Sequence, residues 1–180
     1  MHAFKGDEKL MGRTQFTAIT LSALLVMGGG TRAVAGDLSM EDAKTVAAYP
    51  LTMDKVQRKF AVAADLARLS AADPALQTQL ESINEAKGLD AQIKAFSAVP
   101  KAAAAMQAHG ISARDYSLTT LAVNYAQVPQ VPAQYLPKNV PPTPSMVAAP
   151  PEHVAFVKAH LDEIHQLTQA IMQARKGAEH

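Results

Sequence analysis

TMDKVQRKFAVAADLAR, residues 52–68, is the stretch whose reading decides the fold. Thr52 is a good N-cap residue, and Asp54 puts a negative charge in the first turn, where the helix dipole favours it. Met53, Val56, Phe60, Ala63 and Ala67 then return every three or four positions, while Lys55, Arg58, Lys59 and Arg68 take the other side. This is an amphipathic helix, and its apolar stripe needs a partner. PEHVAFVKAHLDEIHQLTQAIMQARK, residues 151–176, offers one: Val154, Val157, Leu161, Ile164, Thr168 and Ile171 form a stripe with Leu167 beside it. The spacing predicts a single helix that ends before Lys176-Gly177.

Around the first segment, from residue 39 to about residue 126, the punctuation is helical. Ser39, followed by Glu41 and Asp42, opens a short helix that must stop before Pro50. Asp73-Pro74 reads as N-cap and first helical position, and Leu76, Leu80 and Ile83 give the next helix its stripe up to a cap at Gly88. A further helix runs from Leu89 through Ile93 and Phe96, is interrupted at Pro100, and continues through Ala103 and Met106 to a second glycine cap at Gly110. Ser112 with Asp115 resembles a capping box, and Tyr116, Leu118, Leu121, Ala122 and Tyr125 supply the buried side of a helix to about Ala126. No alternating strand pattern and no internal repeat interrupts this series. The expected fold is all-α, a bundle of four to six helices. The composition agrees, because 48% of residues are hydrophobic but only 5% aromatic, which suits alanine-rich helices packed closely.

Eight of the 11 prolines fall between residues 128 and 151, at 129, 132, 137, 141, 142, 144, 150 and 151. The segment therefore reads as an extended, proline-rich strap or linker, with Tyr135 and Met146 as its candidate anchors. The expected organisation is a leader over 1–35, a first helical part over 36–127, the strap over 128–151, and a C-terminal helix over 152–180 packing on the same domain. A length of 180 residues suits one domain.

The leader is read from FTAITLSALLVM, residues 16–27, an apolar run behind Lys9 and Arg13 that leads through three glycines to Ala33-Val34-Ala35. This is the layout of a secretory signal peptide, and the run falls short of the roughly 20 residues that a membrane-spanning helix requires. Asp7 and Glu8 are out of place in a basic leader, so Met11 is a plausible true start. Export to the periplasm or the exterior is expected, with no stable transmembrane anchor after cleavage.

Several chemistries are disfavoured. Absence of cysteine removes disulfides, thiolate metal sites and covalent haem attachment. Beyond residue 35 the chain has 13 basic and 14 acidic residues, with no basic cluster of the kind nucleic acid requires. Gly36, Gly88, Gly110 and Gly177 lie in no glycine-rich phosphate loop. Ser39 and Ser112 read as caps, Ser70 and Ser97 as helix-end residues, and neither a nucleophile elbow nor a His-Glu-x-x-His motif occurs.

His153, His160, Asp162, Glu163 and His165 form the densest set of possible ligands. On one helix His160 and His165 point about 140° apart, and His153 stands about 10 Å from His160 along the axis, so one metal cannot easily take two of them. They read as amphipathic residues flanking the stripe, with wet polar tips. Asp162 and Glu163 diverge by about 100° and make no acid/base pair. In Arg114-Asp115-Tyr116, Asp115 is expected to cap, Tyr116 to pack and Arg114 to face solvent. No catalytic, cofactor or metal residue is assigned.

HGISARDYSLTTLAVNYAQ (109–127), PLTMDKV (50–56) and HVAFVKAHLDEI (153–164) together resemble a pattern found in short exported bacterial helical proteins of unknown function. That resemblance implies a helical, exported protein and carries over no site residue. The leading functional expectation is a non-enzymatic module that binds a protein partner or a small apolar ligand in a helical groove, covered or extended by the strap. A second reading is a haem- or metal-binding bundle using one histidine of the last helix with Met53 or Met106. A third is an enzyme whose site the sequence does not reveal. Oligomeric state stays open. If the leader is cut as read, protein recovered from its own host has an intact mass that begins at Gly36, and a mass retaining residues 11–35 would show an uncleaved leader.

Overall fold

The computed structural model describes residues 38–83, 85–127 and 149–178. The proposed leader and cleavage site, and the strap between 128 and 148, lie outside the described residues. Within them the protein is all-helical: α1 (Met40–Ala47), α2 (Met53–Ala72), α3 (Pro74–Ile83), α4 (Leu89–Ala98), α5 (Pro100–Ala108), α6 (Ala113–Gln127), α7 (Pro151–Ala159) and α8 (Leu161–Lys176). Among the described residues there is no strand. None of these helices is long and apolar enough to cross a membrane.

Among the described residues there are eight helices, where the sequence segments read as six, and two breaks account for the difference. Pro100 cannot continue α4, and Val99 before it is driven to an extended conformation (φ −90°, ψ 108°) that ends one helix and starts the next. The second break corrects the reading of 151–176 as one helix. His160 leaves helical geometry at φ −114°, ψ 20°, although its N–H still reaches the Phe156 carbonyl and its carbonyl still accepts from the Ile164 N–H. Neither proline nor glycine is present there. The two halves pack on different neighbours, α7 on α6 and α8 along α2, and these separate demands bend the chain at their junction.

The predicted caps form where they read. Ser39 and Asp42 make a reciprocal capping box, and Asp73 Oδ1 accepts from the N–H groups of Ala75 and Leu76. Ser112 Oγ accepts from the Asp115 N–H and donates to Asp115 Oδ2 at 2.6 Å. Gly110 closes α5 in a Schellman motif: its N–H reaches Gln107, the Ile111 N–H reaches Met106, and the side chains of Met106 and Ile111 share a core cluster. Gly88 is a correction, since α3 already ends at Ile83 and Gly88, at φ 85°, precedes α4 as its N-cap.

Three apolar clusters fill the interior, and α2 reaches two of them. Val56, Phe60, Ala63 and Ala67 meet Val157, Ile164 and Ile171 in one cluster. Val62 and Leu66 turn the opposite way, to Leu76, Ile83, Ala102, Met106 and Tyr116. The single stripe of α2 is thus two stripes, and each large side chain buried in them contributes roughly 1.5–3 kcal/mol. Lys59, placed by periodicity on the solvent side, lies between the stripes and is half-buried. Its Nζ sits 4.0 Å from the Phe60 ring centroid, and burial lowers its pKa to about 8.

α6 contributes to all three clusters. Tyr116 enters the first, Val123 and Ala126 the second, and Leu118, Leu121, Ala122 and Tyr125 join Val46, Tyr49 and Leu89 in the third. A helix buried on most sides has no solvent stripe, which is why Ser117 and Thr119 are buried along with its apolar residues. Alanines at 63, 67, 122 and 126 let its neighbours approach closely.

Gly110 and Gly177 make opposite predictions. Gly110 has φ 62°, and a Cβ there would lie 2.8 Å from Arg58 Nη1, which donates to the Gly110 carbonyl. Gly110→Ala should cost about 1–2 kcal/mol. Gly177, at φ −68° with only an ordinary contact awaiting a Cβ, should tolerate alanine with a gain of about 0.4–1 kcal/mol. Urea midpoints of the two variants distinguish these outcomes.

Candidate functional site

Pro50 stops α1 and removes a backbone donor, so the turn from Ala48 to Thr52 carries carbonyls that no continuing helix can satisfy. Side chains from elsewhere complete it. Lys55 Nζ donates to the Pro50 carbonyl at 3.1 Å and lies 4.1 Å from the centroid of the Tyr49 ring. His153 Nε2 reaches the Tyr49 carbonyl at 2.7 Å. A carbonyl can only accept, so His153 carries its proton on Nε2.

The Tyr49 hydroxyl points the other way, into α6. It donates to Asp115 Oδ1 at 2.9 Å and lies 3.1 Å from Thr119 Oγ1. Its one proton goes to the carboxylate, which cannot donate, and Thr119 therefore donates to the phenol oxygen. Burial pushes the Tyr49 phenol up to about 12, with Asp115 adding to the shift and Thr119 opposing it. The Ser112 hydroxyl holds the Asp115 carboxyl below the usual range against the cost of burial, assisted by Tyr49 and by the positive charges of Lys55 and Arg114. One residue thus ties the α1–α2 turn to α6 through its side chain and to α7 through its backbone.

Beside this clamp lies a cleft of about 320 Å³. One wall is the end of α1 and the turn, from Ala47 to Leu51, and the other is the face of α7 that carries Glu152, His153 and Phe156. Most of the lining side chains are apolar. The Tyr49 and Pro50 carbonyls are already engaged, and among the described residues the lining contains no serine, threonine or lysine to act as a nucleophile.

The structure sorts the sequence candidates. His153 is buried at 4% exposure with its Nε2 bonded to the Tyr49 carbonyl, which corrects its reading as a ring with a wet tip. His160 sits at the α7–α8 break with its ring 4.7 Å from that of Phe156 and Nδ1 3.8 Å from a Glu163 oxygen. Gln57 donates to the other Glu163 oxygen at 2.8 Å, joining α2 to α8. Met106 is buried in the cluster beneath α3 and α5, whereas Met53 packs against the cluster that holds Val157 and Ile164. Among the described residues no three His, Asp or Glu side chains gather where a metal ion could be held.

Arg114, Asp115 and Tyr116 behave as read. Arg114 is exposed, Asp115 caps and Tyr116 is buried with its ring edge-on to Phe96. What sequence reading missed is Tyr49, together with Pro50, Leu51 and Glu152. The available signal was an aromatic residue against a helix-stopping proline in a chain with only four tyrosines.

No protein-family model, no curated protein and no solved structure matches this chain. The site's meaning rests on its geometry.

Tyr49→Phe removes the donor to Asp115 and the acceptor of Thr119, and should cost about 1.5–3 kcal/mol, as for hydrogen bonds to charged groups. The sign of its pH dependence follows from the raised pKa. Tyr49 contributes stability below its ordinary value of 10, and that contribution is lost as pH rises from about 10 to about 12. Urea midpoints across that window should fall further in the wild type than in Tyr49→Phe.

Proposed function

We propose that this protein is a non-enzymatic, exported helical module whose cleft beside Tyr49 takes up a small apolar ligand. The observation that carries the reading is a cleft of about 320 Å³ whose lining residues are mostly of apolar type and whose Tyr49 and Pro50 carbonyls are already bonded. That volume stands at the lower end of small-molecule sites, and such sites combine apolar walls with few free polar groups. Catalysis needs a nucleophile or a poised acid/base pair, and among the described residues of the lining we assign neither. Export rests on the apolar run and small-residue pattern of the leader.

A small ligand accounts for the surface better than a protein partner does. Protein interfaces usually present a contiguous apolar core, and among the described residues Met40 is the one large apolar side chain that is exposed.

Titration with 1-octanol, followed by amide NMR, tests the reading. Shifts should gather at residues 47–51 and 152–156. Ala48→Trp fills the cleft from an exposed position and should weaken binding at least about fivefold, as expected when an apolar pocket is occupied. Absent or scattered shifts would remove the cleft as a binding site.

A further inference from the structure

Among the described residues the cleft has one charged wall residue. Glu152 lies in the first turn of α7 and is exposed, and among the described residues it has no hydrogen-bond or ion-pair partner. Three polar groups nearby are committed: the Tyr49 carbonyl to His153, the Pro50 carbonyl to Lys55, and the Tyr49 hydroxyl to Asp115. Phe156 stands one turn beyond Glu152 on the same helical face, and its ring also borders the cleft.

Lys55 is the positive group that would oppose a cationic ligand. Its ammonium is already held over the Tyr49 ring and against the Pro50 carbonyl, and its field acts on the Asp115 carboxylate on the α6 side. Its charge is therefore compensated within the clamp, whereas that of Glu152 is not. A carboxylate and an aromatic ring lining the same cleft both attract positive charge.

Resting on the binding reading above, we propose that the ligand is an alkylammonium compound. Its apolar body lies against Ala47, Pro50 and Leu51, and its positive nitrogen sits at the mouth between Glu152 and Phe156. An alkyl carboxylate of the same length would meet Glu152 as a like charge and be rejected.

The test compares n-octylammonium with 1-octanol on the full chain and on Glu152→Gln, with affinities read from the amide shifts of residues 47–51. Octylammonium should bind about three- to tenfold more tightly than octanol, the range expected for an exposed ion pair helped by an aromatic face. Glu152→Gln should abolish that preference and leave octanol affinity unchanged, and 0.5 M salt should shrink it in the wild type. Equal affinity for the two probes, or a preference that survives Glu152→Gln, would overturn the ammonium assignment while leaving the cleft a binding site. If neither probe shifts the cleft residues, the binding reading itself falls and this inference falls with it.

Discussion

A helix that stops at a proline leaves carbonyls that must find donors, and the rest of this structure is arranged around how that is done at Tyr49-Pro50. The Tyr49 carbonyl is satisfied by a histidine 104 residues away and the Pro50 carbonyl by a lysine in the next helix. An unmade bond there would cost on the order of 1–3 kcal/mol, so the position of α7 is coupled to the end of α1. The Tyr49 hydroxyl adds α6 to the same junction through Asp115 and Thr119. Four helices meet at one residue, and the cleft lies between two of them, the end of α1 with its turn and α7.

Two helices organise everything else. α2 divides its apolar residues between two clusters, and α6 supplies all three. The aromatic content is low, so close approach at alanine, more than large ring contacts, brings the helices together, with Phe96 against Tyr116 as a local exception. The half-buried ammonium of Lys59 is a consequence, because a helix packed on both sides keeps little fully solvated surface for its charges.

Helix starts and stops were legible because their causes are local. A serine three residues before an aspartate, a proline at a first turn and a glycine followed by isoleucine each act on neighbouring backbone groups, and Ser39, Pro74 and Gly110 stand where that chemistry requires. The break at His160 was invisible for the converse reason. Its stripe is continuous, and only the competing pulls of α6 on α7 and α2 on α8 bend it. Gly88 was misread because a positive-φ glycine serves either end of a helix, and the loop after Ile83 decided which.

The amino-acid sequence by itself determined the all-α class, the caps, the absence of thiol chemistry and the apolar stripes, since each depends on residue type and spacing along a few turns. The tertiary structure alone decided that α2 has two buried faces, that His153 is an internal donor and not a flanking ring, and that Glu152 and Phe156 face the turn at Pro50 across a cleft. Those facts join residues of different helices, Tyr49 and His153 among them at 104 positions apart, and spacing along a chain carries no signal for a contact whose partners are set by how helices pack.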